Sequence, residues 1–123
     1  MISATTKTGD IGEQLVVEHL QRQGFEIRDR NVAFAQGEID IVAEKGEVLC
    51  FVEVRTRRSS VHGSPEESVS RAKQRRVVHS AMVYLAQRRL TDQRAVRFDV
   101  AAVVGSGAGA TLNYIENAFD AGW

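Results

Sequence analysis

The sequence predicts an α/β fold, a central mixed sheet of about five strands flanked by helices in the order α-β-β-β-α-β-β. Two observations carry it. Residues 8–23 and 64–89 space their apolar side chains as helices do. The remaining apolar stretches alternate or run as short strands bounded by Gly, Ser and Asn. Nothing repeats and no linker divides the 123 residues, so they are expected to form one domain, 1–123, with its core over 9–119.

Thr8 or Asp10 can cap the first helix, and Gly24 can close it in the left-handed conformation. Ile11 and Leu15 lie one turn apart, as do Val16 and Leu20. Glu13 projects from a partly apolar stripe with Val17 and Leu20. Residues 25–34, FEIRDRNVAF, make a first strand. Residues 38–44 and 47–56 make a hairpin with Lys45-Gly46 as its tight turn. RRSSVHGSP is a loop. In SPEE, Ser64 caps a second helix, Pro65 occupies its first turn and Glu67 completes a capping box. That helix runs to about Arg89, with Ser70 as a point where it can restart, and Val78, Ala81, Met82 and Leu85 form its apolar stripe. Residues 96–104, VRFDVAAVV, are a fourth strand, GSGAGA a turn, and TLNYIEN a short last strand.

The chain is 43% apolar and 26% charged, which excludes a disordered protein. The lone Cys50 forbids an internal disulfide and reads as a small buried hydrophobe. No apolar run approaches the ~18 residues of a membrane span, and MISATTKTGD lacks the apolar stretch of a signal peptide. The cytoplasm is the expected compartment, with no membrane partner. His19, His62 and His79 have no metal-ligand spacing.

Glu38, Asp40 and Glu53 stand inside the hairpin, where carboxylates are scarce. With Lys45-Gly46 as the turn, residue 40 faces 51. Glu53 then lies opposite Glu38 and diagonal to Asp40, and residues 38, 40, 51, 53 and 55 share one face. Ile39, Ile41, Cys50, Val52 and Val54 share the other, a core face. A turn one residue longer would scatter the acids. Like charges about 4 Å apart repel by on the order of 1 kcal/mol in water and about 4 at an effective dielectric of 20. A divalent cation reverses that sign, and hard oxygen ligands favour Mg²⁺ or Mn²⁺. A solvated polar face, its acids balanced by Arg28, Arg30 and Arg55, accounts for the same residues.

The motifs GDIGEQL, GEID and FVEVRTR together resemble the active-site signature of the restriction-endonuclease-like PD-(D/E)XK nuclease superfamily. The chain is most similar to the YraN-like uncharacterised bacterial proteins, relatives of the archaeal Holliday junction resolvases. GSPEESV, KQRR, RFDVAAV and IENAF agree in order over residues 9–119. The resemblance implies a restriction-endonuclease-like fold and metal-dependent hydrolysis of phosphodiester bonds in structured or branched DNA. It implies that Asp40 and Glu53 bind Mg²⁺ or Mn²⁺, with the Val54 carbonyl as third ligand. Glu13 would orient the attacking water, and Gln74 matches a glutamine near the site in some branches. The superfamily's usual lysine is replaced by Arg55, which is always protonated and cannot be a general base, yet can grip a phosphate oxygen. Cleavage is therefore retained, weakened or lost. The resolvases work as dimers, so the resemblance leaves room for a homodimer.

From Arg55 to Arg76 stand Arg55, Arg57, Arg58, Arg71, Lys73, Arg75 and Arg76, opposed only by Glu66 and Glu67, in a chain of zero net charge. Such a patch suits sequence-independent phosphate contacts, although solvated helices carry similar charge and QRR recurs at 87–89. Phe25, Phe34, Phe51 and Phe98 read as core, which favours duplex or branched DNA over single strands. Three readings follow: a nuclease, a non-cleaving nucleic-acid-binding module, and an interaction protein with a residual acidic pocket.

Overall fold

A computed structural model describes residues 8–57, 69–105 and 107–122, with side chains of 8–10 and 107 outside that description. Helix α1 spans Thr8–Arg22 and strand β1 Glu26–Phe34. Strands β2 (Gly37–Lys45) and β3 (Val48–Arg57) form the hairpin, and helix α2 spans Arg71–Gln87. Strands β4 (Ala95–Val104) and β5 (Thr111–Phe119) complete the order α-β-β-β-α-β-β. The five strands lie in the sheet in sequence order. Only β3 and β4 run parallel, as a helical crossover between them allows. Ser64, Pro65 and Glu67, expected to open the second helix, lie outside the described residues.

Helix α1 stops where Gly24 turns left-handed, φ +91°. Phe25 N donates to Leu20 O (2.9 Å) and Gly24 N to Gln21 O (3.0 Å), the paired bonds of a Schellman ending. Helix α2 starts from Ser70, whose Oγ accepts from Lys73 N. It ends at Gln87, two residues short of the expected Arg89, because Arg89 itself takes the left-handed position at φ +56°. Leu90 N then reaches Leu85 O, as in α1.

Both faces of the sheet are covered. Val16, Val17 and Leu20 of α1 bury against Ile41, Ala43, Cys50, Val52, Ala101 and Val103. On the other face Val77, Ala81, Tyr84 and Leu85 of α2 bury against Ile39, Val42, Leu49, Phe51 and Phe98. The expected α2 stripe is therefore rotated: Met82 is 49% exposed and Val78 only flanks the core. Ile11 likewise stays exposed on α1. The expected single core face of the hairpin is also corrected, since Ile39 packs under α2 and Ile41 under α1. Alternation would put both on one side, so β2 breaks its alternation at Asp40 between them.

α1 seats very close to the sheet at Gly12. A Cβ built there would lie 2.7 Å from Thr56 Oγ1 and 3.5 Å from Val103 Cβ. That approach sets the depth at which the next residue, Glu13, enters the fold. Gly12→Val is expected to lower stability by about 1–3 kcal/mol, the usual cost of overpacking. Urea unfolding checks this; a midpoint equal to wild type would show the contact to be slack.

Candidate functional site

The hairpin turn is Gly46-Glu47, not Lys45-Gly46, because Lys45 pairs with Val48. Gly46 at φ +58° holds the first turn position, where a type II′ turn favours glycine. The register is offset by two residues from the expected one: Val42 faces Phe51 and Ile41 faces Val52. An offset of two keeps side-chain parity. Continued by one residue, it sets Glu53 beside Asp40 itself, with Glu38 no longer its opposite partner.

The β2–β3 ladder stops at Ile41 and Val52. Beyond it Val54 N donates to Asp40 Oδ2 at 2.8 Å, so the Asp40 side chain takes the position of a strand acceptor. Burial, then the charge of Glu53, pushes the Asp40 carboxyl up to about 7. Glu53 is 4% exposed, and burial raises it as well. Two cations restrain that rise: Lys73 Nζ and Arg55 Nη1 stand 3.6 and 3.8 Å from Glu53 Oε2.

Glu13 comes from α1 and is also buried. Its Oε1 accepts from Asn31 Nδ2 (2.9 Å) and Arg30 Nε (3.3 Å). Burial raises its carboxyl, and the charge of Asp40 raises it further. Asn31 is left-handed at φ +53°, a conformation asparagine tolerates better than most residues. Asp40 thus lies electrostatically between Glu13, from the α1 side, and Glu53, which α2 neutralises. Among the described residues no three His, Cys, Asp or Glu side chains gather as a ready metal cage. The donor set is a pair, Asp40 and Glu53. This fits Mg²⁺, which takes one or two carboxylates and leaves the rest of its shell to water and phosphate.

The other expected site residues divide. Lys73 belongs with the acids and not with the outer basic patch. Gln74 is not brought to the acids by its hydrogen bond, since its Nε2 donates to Val69 O at 3.0 Å and ties down the entry to α2. It lines, with Arg71, Arg75 and His79, a groove of about 470 Å³ walled on the far side by Asp120 and Ala121. Arg71, Arg75 and Arg76 are exposed and make no ion pair among the described residues. Arg57 ends β3, and Arg58 lies outside the described residues. Sequence reasoning missed Asn31 and gave Arg30 only a balancing role. An asparagine inside a strand, a residue poor in β propensity and tolerant of positive φ, was the available signal.

Cys50 is fully buried, and burial with the nearby Asp99 pushes its thiol up to about 12, so it has no thiolate chemistry. His19 packs its ring 5.1 Å from that of Tyr114. His62 lies outside the described residues. No described helix is long and apolar enough to cross a membrane.

Residues 12–103 match the model of the uncharacterised protein family UPF0102. The chain belongs to the UPF0102 family. A UPF0102 protein of Myxococcus xanthus is 50% identical over 114 residues, covering 93% of this chain and 90% of that protein. One from Syntrophotalea carbinolica is 47% identical over 116 residues, covering 94% of each. One from Dictyoglomus turgidum is 43% identical, covering 90% of this chain and 95% of its own. The YraN-like resemblance in the motifs is thus membership of UPF0102. The matched span holds Glu13, Asp40, Glu53 and Lys73.

A raised carboxyl has a sign in stability. Between the ordinary aspartate range and about pH 7, folded Asp40 keeps a proton that the unfolded chain has released. Stability therefore falls as pH rises through that window. Asp40→Asn removes the charge while its side-chain oxygen can still accept from Val54 N. Without divalent ions it is expected to raise stability at about pH 8 by about 1–3 kcal/mol. It should also flatten the profile between about pH 5 and 8. Urea melts at both ends check this, and a variant weaker than wild type at high pH contradicts it.

Proposed function

We propose that this UPF0102 protein is a metal-dependent endonuclease of restriction-endonuclease-like fold, acting on duplex or branched DNA. The observation that carries the reading is the pairing of half-buried Asp40 with buried Glu53 at the end of the β2–β3 ladder. Burial raises both carboxyls, and the charge of Glu53 raises Asp40 further. Such a pair has a standing preference for a divalent cation. Asp40 and Glu53 would hold Mg²⁺ or Mn²⁺, with the Val54 carbonyl as a further oxygen ligand. When bound, that ion supplies a water of lowered pKa and neutralises charge on the phosphate.

The chain's own residues do the rest. Glu13, fixed by Asn31 and Arg30, orients the attacking water from the α1 side. Arg55 has no acceptor and does not move a proton; it binds a non-bridging phosphate oxygen and stabilises charge as the bond breaks. Arg71, Arg75 and Arg76, exposed on the first turns of α2, hold neighbouring phosphates of the backbone. The permanent charge of Arg55 favours a second reading, a nucleic-acid-binding module that does not cut.

Purified protein with Mn²⁺ or Mg²⁺ is expected to nick branched or duplex DNA, and Asp40→Asn to reduce nicking by at least about 10²-fold. The absence of nicking on linear and branched substrates, with binding intact, would favour the second reading. Arg71→Ala with Arg75→Ala is expected to weaken DNA binding by about tenfold on any sequence and to lower the salt slope by roughly two. An unchanged salt dependence in electrophoretic or anisotropy titrations would remove α2 from the interface.

A further inference from the structure

Lys73 stands apart from the basic residues around it. Arg71, Arg75 and Arg76 are exposed, whereas Lys73 is half-buried. Its backbone is fixed as the third residue of α2, because its N–H bonds to Ser70 Oγ at 3.1 Å. From there the side chain reaches the sheet and sets Nζ 3.6 Å from Glu53 Oε2. Arg55 Nη1 approaches the same oxygen at 3.8 Å. Two cations thus share one carboxylate oxygen, while Asp40 accepts a single backbone N–H.

The two cations differ in freedom. Arg55 lies on β3 itself, two residues from Glu53. Lys73 comes from a different layer, on a flexible four-carbon stem with three rotatable donors. A divalent ion seated between Asp40 and Glu53 would cancel their charge and repel both neighbours. The ammonium that can leave most easily is Lys73. A phosphodiester entering beside the ion is the anion nearest to receive it.

We propose that Lys73 is an exchangeable counterion: it neutralises Glu53 in the metal-free protein, yields that position to the divalent cation, and then binds a phosphate oxygen of the nucleic acid. The proposal rests on the metal-dependent reading above and adds a residue to it. It gives Lys73 two opposite effects. Lys73 competes with the metal when DNA is absent, and it links metal binding to DNA binding when both are present. By linkage the metal then tightens DNA, and DNA tightens the metal, by the same factor.

Calorimetric Mg²⁺ titrations of wild type, Lys73→Met, Lys73→Arg and Asp40→Asn, each with and without a short cleavage-resistant duplex, test this. Lys73→Met keeps the apolar stem and removes the charge; thermal unfolding confirms that it folds. Without DNA, Lys73→Met is expected to bind Mg²⁺ about threefold to tenfold more tightly than wild type, the scale of losing a partly exposed competing charge. With DNA, the mutual gain seen in wild type should disappear in Lys73→Met and return in part in Lys73→Arg. Equal Mg²⁺ affinity in wild type and Lys73→Met, or a mutual gain that survives in Lys73→Met, overturns the role of Lys73 and leaves the metal site standing. An absence of Mg²⁺ binding that depends on Asp40 overturns the metal reading itself, and this proposal with it.

Discussion

One hydrogen bond organises the candidate site: the Val54 N–H to the Asp40 carboxylate, where the β2–β3 ladder ends. A regular ladder would give that donor a backbone carbonyl of β2, and Asp40 would continue the alternation. Here the side chain takes the backbone's role. Ile39 and Ile41 are released to opposite faces, each into its own core. Asp40 remains at the level where the two cores meet. A carboxylate on either layer can then approach it, and the fold uses this from both sides, with Glu13 from α1 and Glu53 on the face that α2 covers.

The energetic character of this acid cluster is clearest beside Asp99, the most deeply buried carboxylate among the described residues. Asp99 has no exposed surface, yet Arg97 Nε (3.0 Å) and Nη2 (3.0 Å), Tyr114 Oη (2.5 Å) and Asn117 N (2.8 Å) all donate to it. Its donors lock β5 onto β4 where their register slips between Phe98 and Val100. Four donors on two oxygens leave nothing for a ligand, as expected of a buried charge that serves packing. Asp40 is less buried and far less satisfied. The contrast separates a structural acid from a site that holds like charges together against their repulsion. Such a pair lowers the stability of the folded protein wherever both acids are charged.

Much of this was legible in the sequence because the relevant forces are local. Gly24 ended α1, Gly46 made the turn, and apolar spacing assigned both helices and all five strands. The turn was misplaced by one residue, yet the acids still met. Moving from a turn over 45–46 to one over 46–47 offsets the register by two and preserves parity. What escaped was non-local. The broken alternation at Asp40 depends on where the ladder ends, and no composition marks that. The α2 stripe turned toward Val77 and Tyr84 because Tyr84 anchors there, donating to Asp29 at 2.6 Å across the sheet. Lys73 looked like its neighbours in KQRR; only the seating of α2 sends it inward while Arg75 and Arg76 stay out.

That same seating explains how a chain of zero net charge can present a basic surface. Arg28 and Arg94 meet Glu44, Arg30 meets Glu13, Arg88 meets Asp29, and Arg97 meets Asp99 and Glu116. Each carboxylate consumed on the sheet is one that cannot neutralise α2. The residue left over is positional: Arg71, Arg75 and Arg76, on the opening turns of the helix whose Lys73 already touches the acids. Overall neutrality therefore conceals a separation of charge, with a deficient acidic pair at the end of the hairpin and surplus guanidinium groups on the adjoining helix. A phosphodiester backbone with its accompanying divalent cation carries both complements, anionic oxygens for the helix and a hard cation for the acids. A polyanion alone would satisfy only the first, and a metal ion alone only the second. On the proposed reading the two bind together, each meeting one half of that separation.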